Sequence, residues 1–427
     1  MAEAAEVRAA AVRLILGVTE DRTALNDQIQ KGALAALAPP DRARAQRLAL
    51  TVLRQAGPID TVLKPFIRKE PPAYVRAILR LATTELLIGG AAPHGIVHEA
   101  VGLTRAPGRR TDGFAGLVNA VLRRVAELPP PTLISASPQP LPGWLRGRLM
   151  SAWGKPATMR IEAAHAAGAA TDLTPKDGDA EALAARLGAT ALATGSVRLP
   201  AQVHLSDLPG FAGGDWWVQD AAAALPARVL AAHPGERVLD LCCAPGGKTL
   251  QLAAAGADVT ALDLSAARMA RVGENLKRCH LNAQTVVADA LTWQADQLFD
   301  AVLLDAPCSA TGTIRRHPDL PFVKDVTGLK DLFALQSTLI DRALGFLKPG
   351  GRLVYATCSL LPDEGERQVA AALIRHPDLA IDRDAVALPG TEAGWVGAEG
   401  GLRLRPDYWP LTGGMDGFYI AAFRRSA

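Results

Sequence analysis

From Arg237 to the C-terminus, short apolar runs alternate with longer helical patterns, and this alternation limits the possible folds more than any other feature. The runs that read as strands are Arg237–Leu241, Asp258–Leu262, Thr285–Ala288, Ala301–Leu304, Gly351–Ala356 and Phe418–Phe423. Strands that alternate with helices form mainly parallel sheets with helices on both faces. Such sheets bind ligands beyond the carboxyl ends of their strands, where the strand order reverses. We therefore expect an α/β fold with its functional residues in the turns after these runs.

The first run leads into a glycine-containing turn, Asp240-Leu-Cys-Cys-Ala-Pro-Gly-Gly-Lys-Thr249. We compare this turn with two phosphate-binding motifs, the dinucleotide motif and the P-loop. A dinucleotide site needs the pattern G-x-G-x-x-G, which is absent. A phosphate-binding P-loop ends in Gly-Lys-Thr, as this turn does. However, Cys242 stands where the P-loop has its first glycine, and Pro245 lacks an N–H group that would bind phosphate. The turn is a near miss for a P-loop.

A third ligand, S-adenosylmethionine, fits the acids that follow the next two runs. Asp263 ends the second run, where ribose hydroxyls would bind, and Asp289 ends the third run, on the adenine side. A single acid at the end of a strand is usually a helix cap. Asp263 and Asp289, together with Asp240, make three acids at successive strand ends around a glycine turn, and this arrangement favours a nucleoside cofactor.

The five cysteines include no C-x-x-C pair, which argues against a disulfide framework and against a zinc ribbon. His94 and His98 have H-x₃-H spacing without the following glutamate of a metal motif, so we expect no metal site. Cys308 and Cys358 follow the fourth and fifth runs, and we expect both at the carboxyl edge of adjacent strands. The remaining cysteines read as small buried thiols: Cys242, Cys243 and Cys279.

Two thiols beside a methyl donor suggest one particular chemistry. Carbon 5 of cytosine is a poor nucleophile until a thiolate adds to carbon 6 and turns the ring into an enamine. Asp305, in Asp305-Ala-Pro-Cys308, is placed to assist the addition by protonating ring nitrogen 3 or hydrogen-bonding to it. Methylation of an exocyclic amine would need no such thiol.

The chain divides into four segments by pattern. Residues 1–128 predict an all-α bundle, with Val7, Ala10, Leu14 and Ile15 on one face of its first helix. A proline-rich linker over 129–142 follows. A small α/β connecting segment over 143–215, with helices near 143–166 and 180–187, precedes the sheet region 216–427.

Charge is unevenly distributed along the chain. Residues 1–150 carry 20 Lys and Arg against 12 Asp and Glu, whereas the rest is acidic. The surplus predicts a polyanionic partner, although a solvated helical surface explains it equally well. No apolar run reaches the roughly 18 residues of a membrane helix, and the N-terminus lacks the apolar region of a signal peptide. We expect a soluble, cytoplasmic protein.

The motifs together resemble a known family. The stretches DLCCAPGGKT, ALDLS, VVADA, LLDAPCSATGTIRRHPD, LKPGGRLVYATCS and GGMDGFY are similar, in this order, to those of the Nol/Nop/Sun RNA cytosine-5 methyltransferases. The N-terminal region resembles the NusB-type RNA-binding domain through DRARAQRLALTVLRQ, RAILRLATTELLIG, PHGIVHEAV and GLVNAVLRR. This combination is similar to the members of the family that act on 16S rRNA. It implies a Rossmann-like S-adenosylmethionine methyltransferase domain behind an all-α NusB-like bundle.

The resemblance also implies roles for individual residues. Cys358 corresponds to the nucleophile, Cys308 to the residue that assists product release, and Lys248 to a position at the edge of the active pocket. Asp305 would lie near both cofactor and base. The residues implied to contact S-adenosylmethionine are Cys242, Cys243, Ala244, Pro245, Gly246, Gly247, Lys248, Asp263, Asp289 and Asp305.

Two positions depart from the family pattern, because Ala310 replaces a usual glycine and Gly365 replaces a common asparagine. Neither removes a group that the chemistry uses. Arg315-Arg316-His317 is the expected contact near the target nucleotide, which must be swung out of the RNA.

We expect a monomer that acts on 16S rRNA, as naked RNA or an early small-subunit assembly intermediate, with no membrane or DNA partner. The alternatives are a tRNA cytosine-5 methyltransferase, an antitermination factor with a degenerate methyltransferase body, and a P-loop NTPase.

Overall fold

The computed structural model describes residues 4–90, 92–129, 132, 137–200 and 203–426. It contains two compact units: Met1–Gly168 with Ile314–Asp325, and Ala169–Thr313 with Val326–Ala427. Of the linker expected over 129–142, residues 130, 131 and 133–136 lie outside the described residues. Among the helices of the described ranges, none is long and apolar enough to cross a membrane.

The first unit is a helical bundle, as the sequence predicts. Its apolar faces pack into one core that includes the buried Val7, Leu14 and Ile15. Pro39 and Pro93 each begin a helix, because the fixed backbone angle of proline suits the first helical turn. The α-helices of the unit before residue 168 are α1 (Ala4–Thr19), α2 (Leu25–Gln30), α3 (Pro39–Arg54), α4 (Ala56–Leu63), α5 (Ala73–Leu87), α6 (Pro93–Arg105), α7 (Ala115–Ala126) and α8 (Gly143–Ala167), and the short helix Leu320–Val323 also belongs to this unit.

The helix α8, which we expected to belong to the connecting segment, lies in the first unit. It is interrupted at Gly154, whose φ of 78° is not helical, two residues before Pro156. The segment Ile314–Asp325, which follows the Cys308 turn, also lies in this unit. There the backbone N–H of Leu25 donates a 2.9 Å hydrogen bond to the Asp319 carboxylate.

A buried ion pair joins α1 to α5 inside the bundle. The Arg8 guanidinium donates to both carboxylate oxygens of Glu85, at 2.7 and 2.8 Å, and also contacts Glu99. Arg8 and Glu85 are both 6% exposed. The two side chains stay paired because either charge left alone in the core would strongly destabilise the folded protein.

The second unit begins with a small antiparallel sheet in the order β2-β3-β1-β4. Its strands are β1 (Asp172–Pro175), β2 (Thr190–Ala191), β3 (Val197–Arg198) and β4 (Trp216–Val218), with helix Ala180–Leu187 between β1 and β2. The fully buried Asp172 accepts two hydrogen bonds of 2.7 Å from Arg198 and one of 3.1 Å from the N–H of Ala221. This carboxylate links the small sheet to the helix Ala221–Leu230.

The main sheet has the order β10-β12-β9-β8-β5-β6-β7, with β11 paired to β12. The strands from β9 to β7 in this order are parallel, and β12 and β10 are antiparallel additions at one edge. All six predicted strands are present, and the structure adds β10 and β11. The bounds are β5 (Arg237–Leu241), β6 (Asp258–Asp263), β7 (Gln284–Val287), β8 (Phe299–Asp305), β9 (Leu347–Thr357), β10 (Leu379–Ile381), β11 (Leu402–Leu404) and β12 (Phe418–Arg425).

Apolar cores cover both faces of the main sheet. Alternate strand residues face opposite sides, so Leu239 and Leu304 pack with Ile340 of helix Leu329–Gly345. Val238 and Leu303 pack on the other side, in the core that contains helix Ala221–Leu230. The other helices of this sheet are Gly247–Ala254, Ala266–Arg278 and Glu366–Arg375. Strand order reverses between β5 and β8, and the glycine turn after β5 lies at this point.

The Arg8–Glu85 pair gives a testable expectation for the bundle. Glu85→Ala leaves the buried Arg8 with Glu99 as its carboxylate partner. This change should lower the free energy of opening of α1 and α5 by about 3 kcal/mol. Hydrogen exchange of the α1 and α5 amides in the full chain measures this. Arg76→Ala, which breaks exposed ion pairs with Glu20 and Glu70, is the control and should change it by less than about 1 kcal/mol. An equal effect of the two variants would contradict the structural role of the buried pair.

Candidate active site

Acidic side chains lie at the carboxyl ends of consecutive parallel strands. Asp240 lies in β5 beside Ala261 of β6, while Asp263 and Asp305 are the last residues of β6 and β8. Asp289 follows β7 by two residues, is exposed, and accepts a 2.9 Å bond from the N–H of Leu291 within its own turn. The sheet therefore brings three of these acids together, and the fourth lies at the margin.

The glycine turn is held against Asp263. One carboxylate oxygen of Asp263 accepts from the N–H of Ala244 at 3.1 Å, and the other accepts from Ser265 at 2.9 Å. Gly246 has a φ of 98°, which favours glycine, and an added Cβ would lie 3.0 Å from Val272. The helix that follows begins at Gly247 with its first N–H groups available, as a site for a polar ligand requires.

The thiols of this turn are not set up for nucleophilic chemistry. Burial raises the pKa of Cys242 to about 12 and raises the pKa of Cys243 further. Both groups are therefore neutral at physiological pH. Cys279 is a fully buried free thiol in an apolar cluster. The expected burial holds for Cys243 and Cys279, whereas Cys242 is half-buried, and the cofactor contacts that the resemblance implies for Cys242 and Cys243 stay a prediction.

Asp240 is a residue that we did not include among the cofactor contacts. It is fully buried, and burial raises its pKa to about 7. One carboxylate oxygen accepts a 2.6 Å bond from Thr249, and the other has no hydrogen-bond partner among the described residues. A buried oxygen without a donor fits a site that a polar ligand completes. The sequence signal was its position in the strand just before the turn.

Lys248 forms an ion pair with Asp305 at the centre of the site. The distance from Lys248 Nζ to the Asp305 carboxylate is 2.7 Å, and the same Nζ lies 5.3 Å from the centre of the Phe418 ring. Burial by itself lowers the pKa of Lys248, but the Asp305 charge and hydrogen bond raise it above its ordinary value. The amine is therefore a charged donor next to Asp305.

The two cysteines expected at adjacent strands face each other. Cys308 follows β8 and Cys358 follows β9, and their sulfur atoms are 3.4 Å apart. The hydrogen bond to Cys358, together with burial, raises the pKa of Cys308 well above its ordinary range. Cys308 is therefore protonated at physiological pH, and either thiol can donate the hydrogen bond between the two sulfurs.

Gly312 joins the two cysteine turns to the start of β12. Its N–H donates to the Cys358 carbonyl at 2.9 Å, and its own carbonyl accepts from Gly417 at 2.9 Å. A Cβ at Gly312 would lie 2.0 Å from the Gly417 carbonyl oxygen. Only glycine allows this close approach.

The two departures from the family pattern have different consequences. Ala310 adopts a φ of 57°, a left-handed conformation that is unfavourable for alanine by about 1 kcal/mol relative to glycine. Gly365 leaves room for other side chains, since a Cβ there would lie 2.5 Å from Arg403 Nη2 and 2.6 Å from Tyr419 Cγ. Neither position disturbs the sulfur pair.

Sequence reasoning missed Glu364, a fully buried acid in the turn after Cys358. Its carboxylate accepts hydrogen bonds from Ser309 and Ser359, the residues that directly follow the two cysteines. A signal was available, because serine follows both cysteines and an acid follows six residues after the second. Among the described residues, no cluster of side chains is arranged to hold a metal ion.

The arginine-rich segment after Cys308 is partly buried. Arg315 is only 1% exposed, and its carbonyl accepts a 3.0 Å bond from Arg54. Burial, together with the charges of Arg315 and Arg54, lowers the pKa of the neighbouring His165 to about 3. The expected contact of Arg315-Arg316-His317 with the target nucleotide stays a prediction, and in this structure the Arg315 side chain is buried while the other two are half-buried. By contrast, Arg44, Arg47, Arg105, Arg109, Arg110, Arg123 and Arg124 are exposed on the bundle.

The fold and this site define a Rossmann-like methyltransferase: a parallel sheet with a glycine turn at its switch point and acids at successive strand ends. Residues 227–424 match the model of the family described as 16S rRNA methyltransferase RsmB/F, and residues 5–127 match the NusB family. The chain therefore combines a methyltransferase domain with a NusB domain, as the resemblance implied.

Relatives extend the match over the whole chain. The ribosomal RNA small subunit methyltransferase B of Sodalis glossinidius is 34% identical over 406 residues, covering 85% of this chain and 90% of that protein. The same enzyme of Xanthomonas campestris is 34% identical and covers 98% and 97% of the two chains. The solved structure of PH0851 has the same fold, with a TM-score of 0.73, 24% identity, and coverage of 100% and 99%. The chain belongs to the RsmB/F family of 16S rRNA methyltransferases, and S-adenosylmethionine is its cofactor.

The tight contact at Gly312 predicts the effect of one added methyl group. Gly312→Ala must push the β12 start away from the cysteine turns, and we expect rRNA methylation to fall about a hundredfold. Transfer of tritiated methyl groups from S-adenosylmethionine to 16S rRNA measures it.

Gly273→Ala is the control, because its Cβ would meet nothing within 4 Å on helix Ala266–Arg278. It should leave the rate within about twofold of the parent and slightly stabilise the helix. Retention of the full rate by Gly312→Ala would show that the Gly312–Gly417 contact does not set the site geometry.

Proposed function

We propose that this chain methylates carbon 5 of one cytosine in 16S rRNA through a covalent bond between Cys358 and the base. The observation that carries the proposal is the pair of sulfurs, 3.4 Å apart at the ends of adjacent strands. A covalent nucleophile is needed for transfer to carbon 5 and is unnecessary for methylation of an amine or a hydroxyl group.

In the first step the thiolate of Cys358 forms a bond to carbon 6, and the ring electrons move so that carbon 5 becomes nucleophilic. Cys308 supports the thiolate by donating its S–H to it before the attack. Carbon 5 then takes the methyl group, which S-adenosylmethionine supplies when bound. Cys358 remains attached to carbon 6 until the proton on carbon 5 leaves.

Lys248 and Asp305 are assigned to the polar edge of the base. From the sequence we expected Asp305 to protonate nitrogen 3 or to hydrogen-bond to it. The 2.7 Å ion pair favours Lys248 as the partner that carries the proton, because its pKa is raised. We therefore assign hydrogen-bond donation towards nitrogen 3 to Lys248. Asp305, as the acceptor of the pair, suits the exocyclic amino group of cytosine.

Cys308 is assigned to product release. Before the reaction, the hydrogen bond with Cys358 raises the Cys308 pKa. Once Cys358 is bonded to carbon 6 its negative charge is gone, and Cys308 becomes easier to ionise and loses its own proton to solvent. The Cys308 thiolate then takes the proton from carbon 5, the double bond re-forms, and the Cys358 thiolate leaves carbon 6.

The cofactor contacts are assigned to the glycine turn, Cys242 to Lys248, and to the acids around it. Asp263 is suited to ribose hydroxyls because both its oxygens are already oriented by backbone N–H groups. The unpartnered oxygen of Asp240 is suited to the amino group of the methionine end. Asp289 is exposed and suits the adenine side, and Asp305 borders the cofactor and the base.

The helical unit is assigned to the RNA backbone. Exposed arginines of α6 and α7 border a groove of about 570 Å³ that also contains His94 and His98. Cationic side chains on one surface bind phosphates without reading the sequence. Our expectations of a monomer in the cytoplasm, and of free RNA or an early assembly intermediate as substrate, stand as predictions.

The covalent step is tested by trapping the adduct. Cys308→Ala keeps the nucleophile and removes the group that assists release. With 16S rRNA transcript and S-adenosylmethionine, it should accumulate a protein–RNA adduct that survives a denaturing gel. Cys308→Ala/Cys358→Ala should give none, and Cys279→Ala, a buried thiol outside the site, should behave like the parent. Adduct in Cys358→Ala instead would exchange the two roles, and its absence from every variant would refute the covalent mechanism.

Asp240 makes cofactor binding depend on pH. Because its pKa is raised to about 7, the free protein holds a proton there below pH 7. A bound ammonium group favours the ionised form, so binding should release that proton. The dissociation constant should therefore fall by up to about tenfold per pH unit from pH 5.5 towards 7 and then level off. Calorimetry in buffers of different ionisation enthalpy counts the released proton, and Asp240→Asn should abolish this release. Equal proton release by the variant would exclude Asp240 as its source.

A further inference from the structure

A buried carboxylate lies beneath the two cysteine turns, and the mechanism above makes no use of it. Glu364 is fully buried, and four hydrogen bonds end on its carboxylate. One oxygen accepts from the Ser309 N–H at 2.9 Å and from Gln336 Nε2 at 3.0 Å. The other accepts from the Ser309 hydroxyl at 2.5 Å and from the Ser359 hydroxyl.

These donors belong to both cysteine turns. Ser309 directly follows Cys308, and Ser359 directly follows Cys358. Gln336 also donates a 2.8 Å bond to the carbonyl of Pro307, the residue before Cys308. Glu364 therefore holds the Cys308 turn at two points. It bonds directly to Ser309, the residue after the cysteine, and through Gln336 to Pro307, the residue before it.

The backbone of Glu364 is tied to the strand that carries Cys358. Its carbonyl accepts from the Tyr355 hydroxyl at 2.8 Å and from the Thr357 hydroxyl at 3.2 Å. The carboxylate is thus anchored to β9 through its own backbone while its oxygens hold both turns. Removing it would leave several buried donors without an acceptor.

A third hydroxyl completes the connection. Thr311 Oγ1 lies 3.2 Å from the Ser309 hydroxyl and 3.3 Å from the Ser359 hydroxyl, and it accepts from the N–H of Leu360. The three hydroxyls form a closed group on the carboxylate, with Ser309 and Ser359 only 3.2 Å apart.

We infer that Glu364 is a positioning residue that sets the distance between the sulfurs of Cys308 and Cys358. The inference rests on the proposed function for the meaning of that distance, since a hydrogen bond before attack and a proton transfer after it both need adjacent sulfurs. Glu364 acts through Ser309 and Ser359, the residues next to the two cysteines, and does not touch the reacting atoms.

Two substitutions at residue 364 separate the effect of the side chain's shape from the effect of its negative charge. Ser309 N–H and Gln336 Nε2 can only donate, so they require an oxygen at their side of residue 364. The hydroxyls on the other side can either donate or accept. Glu364→Gln can therefore keep the geometry by turning its NH₂ towards the hydroxyls, because the Ser359 hydroxyl can then donate to Ser309 and the Ser309 hydroxyl to Thr311. Glu364→Ala keeps neither the acceptors nor the shape.

The distance is tested without RNA or cofactor. Phenylarsine oxide condenses with two thiols only when their sulfurs are close together, forming two As–S bonds and releasing one water. The full chain and Glu364→Gln should each bind one equivalent with similar affinity, and Glu364→Ala should bind at least tenfold more weakly. Native mass spectrometry counts the bound arsenical, and Cys358→Ser sets the background from other thiols.

Asp172→Ala separates positioning from general loss of stability. Asp172 is also fully buried with several hydrogen bonds, but it joins the small sheet to helix Ala221–Leu230. This variant should melt at a lower temperature and still bind the arsenical like the parent. Binding by Glu364→Ala as tight as that of the parent would overturn the inference. So would equal weakening in Asp172→Ala at a matched drop in melting temperature.

Methylation provides the second readout. Glu364→Ala should lower kcat at least tenfold with little change in KM for RNA, and Glu364→Gln should restore most of kcat. A Glu364→Gln variant that binds the arsenical normally but is as slow as Glu364→Ala would assign the role to charge and overturn positioning. Because the arsenical assay involves no cytosine, failure of the covalent mechanism in the adduct assay is distinguishable from failure of this inference.

Discussion

The parallel pairing of β8 with β9 is the constraint on which the site depends. Their register sets Asp305 beside Ala356, so both strands end at the same level of the sheet. Cys308 and Cys358 follow these ends by three residues and by one, and the shared level allows their sulfurs to lie 3.4 Å apart. A register shift of a single residue would turn every side chain of β9 to the opposite face. The apolar cores on both faces oppose such a shift. The packing of the sheet therefore maintains the distance between the sulfurs of Cys308 and Cys358.

The same strand ends create an electrostatic problem, because they collect acids in a buried place. Asp240, Asp263 and Asp305 all lie near the glycine turn, and burial of Asp240 raises its pKa to about 7. Lys248 lies among them and stays charged through its ion pair with Asp305. The surroundings of the turn remain unfavourable for thiolates, which keeps Cys242 protonated. The thiolate chemistry that we propose is therefore left to Cys308 and Cys358, whose sulfurs lie 3.4 Å apart.

Most of the architecture was predictable from the sequence because it depends on repeated local signals. Strands of four or more residues that end in turns predicted the parallel sheet, and acids or cysteines at their ends marked the site. The strands β10 and β11 have three residues each and form only as antiparallel additions to β12, so they leave no periodic signal. Glu364 was missed because its role comes from donors 5, 28 and 55 residues away. Burial of Arg315 was missed for a related reason, since its segment belongs to the helical unit, whereas the residues before and after that segment belong to the second unit.

Gly365 illustrates how a departure from a family pattern is accommodated by a neighbour. The space that a side chain would occupy there is filled by Arg403, whose guanidinium lies 4.9 Å from the centre of the Tyr419 ring. Arg403 forms two hydrogen bonds with Glu366, at 3.0 and 2.6 Å, and donates to the carbonyl of Ser359. A polar side chain at residue 365 would have to make its own contacts with the turn, whereas here an arginine from β11 reaches in and holds the residue next to Cys358. The turn that carries the proposed nucleophile is thus held by Glu364 from within and by Arg403 through its backbone, and the absence of a side chain at residue 365 is what makes the second contact possible.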